Sequence, residues 1–230
     1  MVVGKDEDSS ADGKTLVMKF GGTSVGDSAS IQQAAAIVER EAPFWQNLVV
    51  VVSAMSGVTD ALIDCARAAV HGNVAQYESI NTRLYQRHTE VIDEILVPDE
   101  KRKILENDLD DLFRTLETLC QGIHIMGELT ARGMDAVVSL GERMNSRLFA
   151  TVLQQKGMRS QAIDATQLIV TDASFQRARP NLLATQQKAD ENLLPLFANK
   201  IVPVVTGFIG ATPEGITTTL GRGGSDYTAA

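Results

Sequence analysis

The chain has 230 residues, of which 44% are apolar and 22% charged, and it carries a net charge of −8. That length allows one large α/β domain or two small ones, with enough apolar material for a sizeable core. The acidic balance, with both signs mixed along the chain, argues against general binding to nucleic acid or to an anionic membrane, which needs a basic face; it leaves ATP open, since a few cationic groups suffice. Cys65 and Cys120 lie far apart with no CxxC pair, and read as small apolar residues in a reducing compartment. His71, His88 and His124 lack metal-ligand spacing, and His88 continues an apolar helix face, which favours packing. No signal peptide and no long apolar run is seen, so a cytoplasmic protein without a membrane partner is expected.

Residues 1–14 are polar and charged and are expected to form a flexible N-terminal extension. A short apolar strand at 15–20 then runs into Gly21-Gly22-Thr23-Ser24, with a helix from about 28 to 40. The β-branched run at 48–52 suits a parallel strand buried on both faces, and it too breaks into a small-residue turn, 53–57, before a helix. The middle changes character. Apolar residues recur at helical spacing over 76–96, Pro98 interrupts, and Leu105, Leu109, Leu112, Leu116, Leu119, Ile123 and Met126 form a heptad-like stripe over 100–126. This reads as a helical insertion at about 76–131 within an α/β core; a free-standing coiled coil is the alternative.

The α/β pattern then resumes. The run 136–140 reads as a strand, with Gly141-Glu142 turning into a helix that ends near Gly157. Short strands are expected at 160–164 and 168–171, a helix at 181–198 limited by Pro195, a buried strand at 201–208, and a hairpin at 211–220 turning on Pro213-Glu214-Gly215. The chain enters Gly221-Arg222-Gly223-Gly224-Ser225-Asp226 and stops at Ala230, where a helix capped by Ser225 or Asp226 should begin, so a piece of a longer protein is expected.

Strand, then Gly/Ser/Thr turn, then helix is a repeated grammar here. In a parallel sheet such turns gather at the carboxyl ends of the strands, where backbone amides favour anions. An anion site is therefore expected from the turns after Phe20, Val52, Leu140 and Phe208, together with the 221–226 loop. Lys19 precedes its glycines, so this is not a Walker A loop; beside a Gly-Gly turn it either meets phosphate oxygens or snorkels to solvent. Arg222 and Asp226 offer a carboxylate fork and an acid, or a solvated pair on a surface turn. Glu142 is a site acid or an ordinary helix-dipole partner, and Ser53 and Thr59 are ligand hydroxyls or caps.

In this order the segments resemble the aspartate kinases. Lys19-Phe20-Gly21-Gly22-Thr23-Ser24-Val25-Gly26 is similar to that family's opening signature. Val51-Val52-Ser53-Ala54-Met55-Ser56-Gly57-Val58-Thr59-Asp60 and Ser139-Leu140-Gly141-Glu142 are similar to its second and third segments, and 218–230 to its fourth. The resemblance implies the amino-acid kinase fold, a three-layer αβα sandwich with a largely parallel central sheet, over 15–230. It also implies the reaction: L-aspartate and ATP, with Mg2+, give 4-phospho-L-aspartate and ADP, the first step toward lysine, threonine, methionine and isoleucine.

By the same resemblance, Lys19 neutralises the transferring phosphoryl group, and Gly21, Gly22, Thr23 and Ser24 bind phosphate. Arg222 holds the substrate α-carboxylate, Glu142 its ammonium, and Thr59 with Ser53 its side-chain carboxylate. Ser225 and Phe208 complete the pocket, while Asp226 orients Lys19. The family's nucleotide-binding segments and its regulatory domains follow the last motif, so the chain alone is expected to be inactive and the whole protein a homo-oligomer. A kinase for another acid and a non-catalytic aspartate-binding fragment are the alternatives; a Rossmann dehydrogenase is disfavoured because no GxGxxG follows the first strand.

Overall fold

The computed structural model describes residues 14–230, so the expected extension at 1–14 lies outside the described residues except for Lys14. Four strands, β1 (Thr15–Phe20), β2 (Asn47–Val52), β3 (Ser160–Ile163) and β4 (Val202–Thr206), form one parallel sheet in the order β1-β2-β4-β3. The β2 run of four valines is buried on both faces, as a central parallel strand requires. Leu48, Val50, Val52 and Val204 face one core, shared with α1 (Ser28–Glu41), α2 (Val58–Val70) and α5 (Ala131–Gln155). Val49, Val51 and Val205 face the other, closed by Leu193, Leu196 and Phe197 of α6 (Leu182–Ala198). The result is the expected three-layer α/β sandwich. Among the described residues no helix is long and apolar enough to cross a membrane.

The two long helices expected in the middle of the chain are α3 (Val74–Ile95) and α4 (Glu100–Met126). Asp99 caps α4 by accepting from Arg102 N at 2.8 Å, and the Arg102 guanidinium pairs with Asp93 at 2.5 Å and Glu106 at 2.7 Å, pinning the turn between the helices. The pair is no free-standing coiled coil: α3 packs on α2, and α4 on α2 and α5. Phe113 and Cys120 accordingly enter the core, Leu112 and Leu119 are only partly buried, and Met126 is exposed. A straight helix drifts away from a strict seven-residue stripe. Cys65 and Cys120, remote in sequence, meet with sulfurs 3.4 Å apart, and His88 is buried with Nδ1 2.7 Å from Leu84 O. Burial holds the His88 imidazole down at about 4.

Four expectations are corrected. Residues 136–140 are not a strand but part of α5, and Glu142 lies in mid-helix rather than at a helix start. The run 136–140 is short, apolar and largely buried, and such a run reads alike in a buried strand and a buried helix segment. Residues 168–171 form only isolated bridges, Val170 to Ala211 and Thr171 to Pro180. Pro195 lies inside α6, which continues to Ala198. The last helix, α7 (Gly224–Ala229), is capped by Gly223 in the left-handed region, not by Ser225 or Asp226. The expected hairpin is present as β5 (Ile209–Ala211) and β6 (Thr217–Thr219), antiparallel.

Two features of α5 set the site. Asp135, fully buried, accepts from Thr219 N, Thr219 Oγ1 and Gln176 N, each at 2.9 Å, and so fixes β6 just before the 221–226 loop. Gly141 lets α5 close on α2: a Cβ there would lie 2.9 Å from Ala54 Cβ and 3.3 Å from both Leu62 and Val58. Gly141→Ala is expected to destabilise the fold, because overpacking costs about 1–3 kcal/mol and the gain in helix propensity returns only about 1 kcal/mol. Urea unfolding of the variant checks this, and a rise in stability would contradict it.

Candidate active site

The strand register aligns the carboxyl ends of the sheet. Phe20 pairs with Val52, and Val52 with Thr206, so the turns after β1, β2 and β4 lie side by side. They border a cavity of about 520 Å³, lined by Lys19, Gly21 and Gly22 from the first turn and Ser53, Ala54, Gly57 and Thr59 from the second. Glu142 of α5, Phe208, and Gly221, Arg222, Ser225 and Asp226 complete the lining. Ten of the twelve residues singled out from the sequence therefore meet at one cavity: Lys19, Gly21, Gly22, Ser53, Thr59, Glu142, Phe208, Arg222, Ser225 and Asp226. Thr23 and Ser24 do not; they are exposed on the 3₁₀ turn Gly22–Val25, where Ser24 N donates to Gly21 O at 2.8 Å.

Close backbone approach shapes the walls. A Cβ at Gly22 would lie 3.1 Å from Ala54 O, and one at Gly207 would lie 2.4 Å from Ser225 Oγ. The second approach seats α7 against the turn after β4, and Ser53 Oγ donates to Ser225 Oγ at 3.0 Å. Phe208 adopts φ 68°, a left-handed conformation that costs a non-glycine residue about 1–3 kcal/mol. The surrounding packing enforces it at the rim of the cavity.

The charges are arranged unequally. Lys19 Nζ pairs with Asp226 Oδ1 at 2.8 Å, so Asp226 is not the partner of Arg222. Arg222 is exposed and, among the described residues, has no hydrogen bond or ion pair. Glu142 is 3% exposed: its Oε1 accepts weakly from Ala54 N at 3.4 Å, and its Oε2 is buried with no partner among the described residues. Burial pushes its carboxyl up to about 8, against the smaller opposing pull of backbone hydrogen bonds and of Arg143. An unpaired buried carboxylate is costly, and a cationic ligand group would relieve it. Thr59 lies in the first turn of α2, whose N-cap Gly57 (φ 77°) makes no side-chain cap bond, so its hydroxyl is not a cap.

Sequence reading missed Asn145. It is fully buried, donates to Ser53 O at 2.5 Å and keeps an unpaired Oδ1. It also missed Asp60 and Met55, which line the cavity. Asp135, Glu142 and Asn145 share one face of α5 at intervals of seven and three; this signal is visible only once 136–140 is read as helix. Among the described residues, no cluster of three His, Cys, Asp or Glu side chains gathers to hold a metal.

Residues 14–230 match the model of the amino acid kinase family. The chain is 34% identical to an aspartokinase of Chlamydia muridarum over 93% of its length and 33% identical to the lysine-sensitive aspartokinase 3 of Escherichia coli over 94%. It spans less than half of these relatives, 44% and 45%. Its fold superposes on a crystal structure of E. coli aspartokinase III in complex with aspartate and ADP, with a TM-score of 0.83 and 30% identity over 94% of this chain and 45% of that one. Another structure of that enzyme, in complex with lysine and aspartate, gives the same TM-score at 29% identity, over 93% of this chain and 45% of that one. By its match over nearly its full length and by the architecture that carries its site, the chain belongs to the amino acid kinase family, and the relatives it resembles there are aspartokinases.

Proposed function

We propose that this chain forms the substrate-binding part of an aspartokinase, which transfers the terminal phosphoryl group of ATP to the side-chain carboxylate of L-aspartate. The observation that carries the reading is Glu142: a buried carboxylate with an unpaired oxygen, on the same cavity as an unpaired guanidinium, Arg222. One small zwitterion satisfies both. Its ammonium neutralises Glu142, and its α-carboxylate takes the planar fork of Arg222, which gives orientation as well as charge. Thr59 and Ser53 then hold the side-chain carboxylate toward Lys19.

In the reaction, a carboxylate oxygen forms a bond to the terminal phosphorus as the bond from that phosphorus to the ADP oxygen breaks, and no proton needs to move. The task for the protein is to bring two anions together and neutralise charge in flight. Lys19, kept in place by Asp226, and the amides of Gly21 and Gly22 supply that charge. Mg2+ would be held largely by the nucleotide phosphates and would neutralise part of their charge. A cytoplasmic location and a homo-oligomeric whole protein belong to the same reading. A panel of aspartate, glutamate and acetylglutamate tests the substrate, and turnover of either rival above aspartate would move the chain to another acid.

Three outcomes are expected in the intact protein. Arg222→Lys raises the aspartate KM at least about tenfold, because a point charge cannot replace the fork; an unchanged KM contradicts that role. Lys19→Ala lowers kcat about 10²–10³-fold with little change in aspartate affinity, since its charge acts mainly in the transition state; equal losses in both count against it. Glu142 must be ionised to meet an ammonium, while burial keeps it protonated up to about 8. Binding below that pH therefore expels a proton. Affinity should climb with pH by up to about tenfold per unit and level off above about 8. Calorimetry in buffers of different ionisation enthalpy reads that proton, and Glu142→Gln should abolish its release.

A further inference from the structure

The inserted helix α3 reaches the cavity's two glycine turns through one side chain. Arg87 is half-buried, with Nη1 donating to Ser56 O at 2.7 Å and Nη2 to Gly26 O at 2.9 Å. Gly26 closes the turn that follows Lys19 and Phe20 of β1, and Ser56 lies in the turn that carries Ser53, Ala54 and Gly57. The two turns touch through backbone: a Cβ at Gly26 would lie 3.0 Å from Gly22 O and 3.1 Å from Ser56 Cβ. Two carbonyl oxygens aimed at one place repel each other unless a cation lies between them. A planar guanidinium offers each its own N–H and fixes their separation, which an ammonium on a flexible stem does not.

We infer that Arg87 is a positioning residue for phosphoryl transfer, a cross-turn clamp that sets the gap between the Lys19–Gly22 turn and the Ser53–Thr59 turn. The inference rests on the proposed aspartokinase reading. On that reading the first turn holds the transferring phosphoryl group and the second holds the acceptor carboxylate. The clamp touches neither substrate. It fixes the distance that the phosphoryl group crosses, where misplacement by about 1 Å costs on the order of 10²-fold in rate. It also gives the insertion a function beyond core packing, because a shift of α3 would be felt at both turns at once.

The signature is a split between rate and binding. Glu142 and Arg222 lie outside the two turns and still anchor aspartate when the clamp is cut. In the intact protein, Arg87→Ala should lower kcat about 10–100-fold, counted per molecule competent to bind aspartate by calorimetry, with the aspartate KM within about threefold. Arg87→Lys should restore the melting temperature but not the rate. An unchanged kcat per competent molecule overturns the clamp, and so does full recovery of the rate by lysine. If Arg87→Ala does not fold, Arg87→Lys alone decides by the same two readings. Wild-type protein that turns over no aspartate, or an Arg222→Lys variant with unaltered aspartate KM, counts against the functional reading itself; normal rates in the Arg87 variants beside an active wild type count only against the clamp.

Discussion

Three parallel strands end level, with Phe20 beside Val52 and Val52 beside Thr206, and the site depends on that register. Parallel pairing is set by the burial of both sheet faces: the valines of β2 fill two separate cores, so a slip of one residue would exchange their contents. Once the strands end together, their turns must share a small space. A Cβ at Gly207 would clash with Ser225, 2.4 Å from its Oγ and 2.7 Å from its Cβ, and one at Gly22 or Gly26 would fit tightly, 3.1 and 3.0 Å from its nearest neighbour.

On this frame the charges divide into satisfied and unsatisfied groups. Lys19 has Asp226, and Arg143 has Asp164 at 2.5 Å, both fixed within the protein. Glu142 and Arg222 are left open, one deep and one exposed. A buried carboxyl without a partner is unfavourable in a fold that has no use for it, and here desolvation keeps it protonated until a cation arrives. In the proposed reading this makes substrate recognition an exchange: a proton leaves Glu142 as an ammonium takes its place.

The helical insertion changes meaning when seen folded. From its pattern it is an apolar stripe that interrupts an α/β chain, compatible with a coiled coil. In the structure α3 and α4 extend the helical layer over α2 and α5, and the stripe widens to admit Phe113 and Cys120. Arg87 carries no signal in the sequence, since neither of its two backbone carbonyl partners has a signature there.

The strands at 15–20 and 48–52, the turns that follow them, the inserted helices and the hairpin were legible because each is a local property: alternation or continuity of apolar residues, and glycine where the backbone must turn. The same local logic failed for 136–140, since a short apolar run reads alike in a buried strand and a buried helix, and the error hid Asn145 and the true setting of Glu142. The family resemblance, for its part, put Thr23 and Ser24 among the phosphate-binding residues, and they do not line the cavity. Sequence alone thus determined most of the strands, turns and helices and which residue types could meet an anion. The tertiary structure decided which of them share one cavity, that Lys19 rather than Arg222 takes Asp226, and that Glu142 lies buried and unpaired, because burial and partner choice depend on segments distant along the chain that only packing brings together.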